Sequence, residues 1–158
     1  MTLTEPMTML TDFLLAAVSG AFSYLLFRVS RIRAARAGRF WAWGFLILAA
    51  AALAGGSFHG WAFYLDAPTR RALWNITMIL IGAASALMIV GTAVSRIARR
   101  DPSARWLLTG LEVSLLGLAI QRSSLSFGQV FNHNDIFHTI QIAALFMFYR
   151  GARLLEDR

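Results

Sequence analysis

The chain has 158 residues, 58% of them hydrophobic and 15% charged, with a mean hydropathy of +0.59. That is too apolar for a soluble domain and places the chain in a bilayer. The net charge of +7 comes from arginine alone, scattered between apolar runs, which argues against a nucleic-acid partner; the lack of cysteine excludes disulfides and thiolate metal sites.

Five apolar segments are long enough, or nearly so, to cross about 30 Å of hydrocarbon at about 1.5 Å per residue. They are residues 9–29, 40–64, 73–94, 106–121 and 136–149, the last two being short and partly polar. The opening MTLTEPMTML lacks a basic n-region, so the first segment is expected to stay as a membrane helix and not to be removed as a secretory signal. Between the first two segments lie Arg28, Arg31, Arg33, Arg36 and Arg39, and between the third and fourth Arg96, Arg99, Arg100 and Arg105; the tail holds Arg150, Arg153 and Arg158. Short cytoplasmic loops retain arginine, so these three stretches belong inside. The second loop, with Arg70 and Arg71, is the one ambiguous element, and the fourth has only Arg122. The expectation is an all-α polytopic membrane protein spanning 1–158. It is one compact bundle of about five transmembrane helices, N-terminus outside and C-terminus cytoplasmic, in a bacterial inner membrane. Phe40, Trp41 and Trp43 at one edge of the second segment, and Trp61, Phe63 and Tyr64 at the other, fit an interfacial aromatic belt.

This topology puts polar residues of every segment in one outer layer. His59 lies about 27 Å beyond Trp41 along the second helix. His138 is near the outer end of the fifth, below His133, Asn134 and Asp135; Asp12, Asn75 and Gln121 lie at the same level of the first, third and fourth. Asn134 or Asp135 is expected to cap the fifth helix, and Thr11 or Asp12 the first. His133, in a loop, reads more simply as a solvated or packing residue. Histidines within the hydrocarbon margin need a partner or a function.

Imidazole and carboxylate without thiolate suit zinc. His59 and His138 would be two ligands and His133, Asp135 or Asp12 the third, with a remaining carboxylate as general base or orienting group and Ser57 and Asn75 as supporting groups. A metal-bound water would then hydrolyse a lipid-like amide or ester at the membrane surface. Alternatively, His59 and His138 would ligate haem b, with Gly55, Gly56 and Gly60 letting the macrocycle approach. In a third reading the layer is a hydrogen-bond network in a non-catalytic membrane scaffold or accessory subunit, self-associating or paired with a partner subunit. Two charges stand apart: Glu112, part-way up the fourth segment, with Ser85 or Ser114 as expected hydrogen-bond partners, and Arg122, facing Asp135, Asp12, a lipid head group or water.

The stretch GGSFHG (Gly55 to Gly60) and the later HNDIFHTIQ resemble the helix-2 and last-helix histidine motifs of the alkaline ceramidases and the related progestin and adiponectin receptor family. That resemblance, over about a fifth of the chain, implies a zinc-dependent membrane hydrolase with His59 and His138 as ligands, Ser57 as the serine and Asp12 or Asp66 as the acidic residue. The chain departs from it in having five segments instead of seven, a serine two residues before His59 instead of four, and HNDIFH in place of HxxxH. Taken together, GGSFHG and FNHNDIFH…FYRG look more like a bacterial family of integral membrane proteins of unknown function.

Overall fold

The structure, a computed structural model, describes residues 3–95, 101–123 and 131–157. It is all-helical: α1 (Pro6–Ile32), α2 (Arg36–Trp61), a 3-10 turn (Ala62–Tyr64), α3 (Ala67–Ser95), α4 (Pro102–Arg122) and α5 (His133–Ala152). Because arginines that end a hydrophobic run do not end a helix, the helices overrun their apolar segments by a few residues, except that α2 ends at Trp61, three residues before the end of its segment. The helices containing the first four segments are long and apolar enough to cross a membrane. α5 is the polar member, carrying His133, Asn134, Asp135, His138, Gln141 and Arg150.

Among the described residues the helices pack on one another in the order α3, α2, α1, α5, α4, with α2 also meeting α5 through Trp41 and Phe148. α1 is central, α5 touches α2 only marginally, and α3 and α4 are edge helices packed on α2 and α5 respectively. Glycines set the closest approaches. A Cβ at Gly91 would meet the Ala37 carbonyl at 2.8 Å, and one at Gly110 the Ala144 carbonyl at 3.2 Å, so the edge helices lie against their neighbours' backbones.

Polarity is inverted relative to a soluble helical protein. The buried stripe of α1 includes Thr8, Asp12, Ser19, Ser23 and Ser30, whereas Leu10, Leu14 and Leu25 are exposed. Ser23 Oγ donates across to the Ala42 carbonyl at 2.8 Å. On α3, Ile79 and Ile89 are each 69% exposed, an arrangement that water would oppose and lipid accommodates. The middle of the molecule is aromatic: Phe22 stacks on Tyr149 at 4.6 Å and meets Phe45 edge-on at 5.8 Å, and Trp41 lies 5.9 Å from Phe148.

At the arginine-rich end, α1 closes on Ala34, whose φ of 52° is left-handed. The Ala34 N–H returns to the Arg31 carbonyl and the Ala35 N–H to that of Ser30, a Schellman closure with alanine where glycine is usual. α2 then starts at Ala35, which has no side chain to cap it. The cap comes from the tail: Asp157 accepts the backbone N–H of Arg36 and of Ala37, each at 2.8 Å, and pairs with Arg36 Nε at 3.2 Å. The Ala37 amide, with help from those of Arg36, holds the Asp157 carboxyl below its ordinary value. A carboxyl depressed on folding stabilises the folded state above its unfolded value and loses that contribution as pH falls through the folded one. Acidification below about pH 4 is therefore expected to release the tail and speed hydrogen exchange at Arg36 and Ala37, and Asp157→Ala should do the same at neutral pH. Unchanged exchange in both cases would mean that the tail does not cap α2.

Candidate functional site

At the opposite end of the helices the polar residues meet, in a pattern that differs from the one expected. The centre is His138, on α5 and buried. Its Nδ1 lies 3.0 Å from Thr11 Oγ1 and its Nε2 3.4 Å from Asp12 Oδ1, so two adjacent residues of α1 hold both ring nitrogens. Thr11 Oγ1 also donates to the Thr8 carbonyl at 3.0 Å. A hydroxyl has one proton to give, so while Thr11 bonds Thr8, His138 Nδ1 is the donor to Thr11.

Asp12 is wedged between helices. Its Oδ2 would lie 3.4 Å from a Cβ at Gly55, which would also touch Thr77 of α3, and a Cβ at Gly56 would stand 3.1 Å from Asp12 Cβ. The glycines of GGSFHG thus serve to bring α2 against α1. Gly60 makes the same kind of contact with Met9.

The start of α5 is built around Asn132. Its side-chain oxygen accepts from Asn134 N at 2.8 Å and Asp135 N at 3.4 Å, while Asp135 Oδ2 accepts from Asn132 N at 2.8 Å, completing a capping box. The cap is therefore Asn132, two or three residues earlier than expected, and Asp135 supplies the reciprocal half. Asn132 Nδ2 reaches Thr8 Oγ1 at 3.3 Å and ties the cap to α1. Gln121 of α4 donates to Asn134 Oδ1 at 3.0 Å. Asp135 is fully buried, and its Oδ1, like Asp12 Oδ2, has no hydrogen-bond partner among the described residues.

His59 is held by a residue the sequence reading passed over: Glu5, the N-cap of α1, whose Oε2 lies 2.8 Å from His59 Nδ1. The Glu5 and Thr4 amides also bond the carbonyls of His59 and Gly60. His59 and Asp135 both lie within electrostatic range of His138, so Glu5–His59 and Thr11–His138–Asp12 are neighbouring parts of one cluster.

Other expected members fall elsewhere. Ser57 is on another side of α2 from His59 and its hydroxyl returns to the Leu53 carbonyl at 2.8 Å. Asn75 is exposed on α3, where Thr77 takes the inward position. His133 opens α5, half-exposed, and no hydrogen bond joins it to His138 among the described residues. Asp66 accepts the Thr69 N–H at 3.1 Å ahead of α3, and hydrogen bonding from the Thr69 side chain and that amide keeps its carboxyl below the ordinary value. Thr11 and Asp12 lie inside α1, not at its cap. Arg122 is exposed and joins no ion pair with Asp12 or Asp135 among the described residues. Glu112 is exposed on α4; Ser114 bonds Gln141 at 2.9 Å and Ser85 bonds its own Ile81 carbonyl.

Among the described residues no three His, Cys, Asp or Glu side chains are placed to hold one metal ion. Both nitrogens of His138 and Nδ1 of His59 are directed at groups from α1 and the residue that caps it. The face expected to admit haem, at Gly55, Gly56 and Gly60, is filled by Asp12, Phe13 and Met9.

Fold and site together define an all-helical protein with four membrane-length apolar helices and a buried polar cluster at one end. The chain belongs to the family DUF6962, a family of unknown function, which it matches over residues 7–100 and 92–157. No curated protein and no solved structure matches it.

Proposed function

We propose that this is an integral plasma-membrane protein, N-terminus outside, whose outer polar cluster clasps α1, α2 and α5, and that it acts as a non-catalytic scaffold or accessory subunit. The arginines gathered at one end support the orientation. One observation carries the functional reading: the polar groups expected to bind a ligand are engaged with one another across helices. Glu5 takes His59, Thr11 and Asp12 take His138, Thr8 takes Asn132, and Gln121 takes Asn134. Asp12 is also packed against glycine backbone, where a substrate would need space.

The two leftover carboxylate oxygens, Asp12 Oδ2 and Asp135 Oδ1, favour a second reading in which the cluster takes a cation and serves the lipid amide or ester hydrolysis that the ceramidase resemblance implies. Metal content and thermal stability of detergent-purified protein separate the two. For a clasp, wild type carries no stoichiometric zinc, and His138→Ala and Asp12→Ala each lower the unfolding midpoint. Interhelical hydrogen bonds in membranes contribute about 0.6 kcal/mol on average and up to about 1.7 kcal/mol. Near-stoichiometric zinc in wild type, absent from His138→Ala, would overturn the clasp and restore the hydrolase.

A further inference from the structure

Glu112 lies midway between Pro102 and Arg122 on α4, about 15 Å from either end. α4 turns Ser103, Ala104, Leu107, Gly110 and Gly117 towards α5, and Glu112 points the opposite way, exposed, among Leu108, Leu115 and Leu116. In a bilayer this is a carboxyl directed outward at mid-depth, where ionisable groups are costly and call for a polar partner. Ser114 is turned to Gln141, and Ser85 lies on α3, which packs on α2.

That helix offers what α4 lacks. α3 turns Thr77, Ala84, Gly91 and Ser95 towards α2, exposes Asn75 and Gly82 on the opposite side and carries Ser85, also exposed, on the flank between. A Cβ at Gly82 would meet nothing within 4 Å, so this face is open to a second backbone. Ser85 is about 15 Å from the Ser95 end of α3, the depth of Glu112 measured from Pro102. Asn75 is about 15 Å beyond Ser85, and Arg122 the same distance beyond Glu112, towards the same end of the helices. Pairing of α4 with α4 has no such complementarity: two copies inserted alike would oppose Arg105, Glu112 and Arg122 to themselves.

We infer that copies of this chain associate edge to edge in the membrane, α4 of one against α3 of the next, with Glu112 hydrogen-bonded to the Ser85 hydroxyl of its neighbour. The inference rests on the membrane reading above, not on the role of the histidine cluster. The contact is heterologous, so successive copies form a ring or an open row, not a two-fold dimer.

The absence of cysteine makes the test direct. Ile89→Cys and Leu108→Cys each lie one turn from the proposed pair on the arginine side, and both native side chains are exposed. The two full-length variants, differently tagged and co-expressed, are oxidised in native membranes. Expected is a disulfide between the two tags that neither variant forms alone, retained with Glu112→Gln and lost with Glu112→Leu. A cross-link formed by Leu108→Cys alone would replace the proposal with α4–α4 pairing. No cross-link, with wild type monomeric by light scattering in mild detergent, would overturn it. Carbonate extraction of the same membranes tests the membrane reading separately; a chain released by carbonate would remove the basis of both.

Discussion

Gly56→Val is expected to unfold about 2–3 kcal/mol more readily than the parent protein, the upper part of the range for forcing volume into a packed interface. A Cβ at Gly56 would stand 2.7 Å from Phe13 Cε1 and 2.8 Å from its Cδ1, closer than carbon atoms tolerate. Phe13 is itself backed by Trp61, ring centres 6.3 Å apart, so the ring has little room to swing aside. The alternative is for α1 to move off α2, and because Asp12 precedes Phe13, that movement withdraws the carboxylate from His138. Two losses therefore coincide, one of packing and one of the hydrogen-bonded contact between α1 and α5. For a chain of this size the midpoint in detergent should fall by roughly 5–10 °C. Gly20→Val is the matched control, since a Cβ there meets nothing within 4 Å. Equal midpoints for the two variants would mean that α1 and α2 are not in close contact at the level of the cluster.

Asp135 should separate a structural carboxylate from one that serves as a ligand. Asp135→Ala removes the acceptor of the Asn132 N–H, bonded at 2.8 Å, and opens half of the capping box. Leaving such a donor unpaired costs about 1–3 kcal/mol. Asp135→Asn keeps an acceptor in place and removes a charge whose second oxygen is buried without a partner among the described residues. If capping is the whole role, the asparagine variant should be at least as stable as the parent, while alanine is clearly destabilised and its Asn132 and Asn134 amides exchange faster. If asparagine is as damaging as alanine, the negative charge itself is in use, and the cation reading gains what the clasp reading loses.

The sequence made the helices legible because membrane-length apolar runs leave little choice of structure, and it identified His138, Asp12 and Asp135 as buried polar residues of one layer. It could not supply their pairings. Glu5 lies outside any apolar segment and 54 positions from His59, so only the folded chain brings them together. Thr8 was inconspicuous and Thr11 was read only as a helix cap, because a threonine in a helix commonly bonds its own backbone, as Thr11 does; the His138 contact is additional. The Asn132 cap was accessible in principle, since NHND places an acceptor three residues before an acid, the spacing of a capping box. Ser57 and His59 are two apart and therefore cannot share a helix face, which spacing alone disfavours. The order in which the helices pack was hidden for another reason: apolar surface facing lipid and apolar surface facing another helix look alike in a hydropathy trace.

The Asp157 cap has a bearing on how the molecule is assembled. The first turn of α2 obtains its acceptor from a residue 121 positions later. As the polypeptide emerges from the ribosome, α1 and α2 can pair as soon as both are made, but the amides of Arg36 and Ala37 must be served by water until the residues after α5 have been synthesised. Joining of the tail to the α1–α2 turn is thus a late step in biogenesis, and in a nascent chain stalled within α5 the amides of Arg36 and Ala37 should exchange faster than in the finished protein.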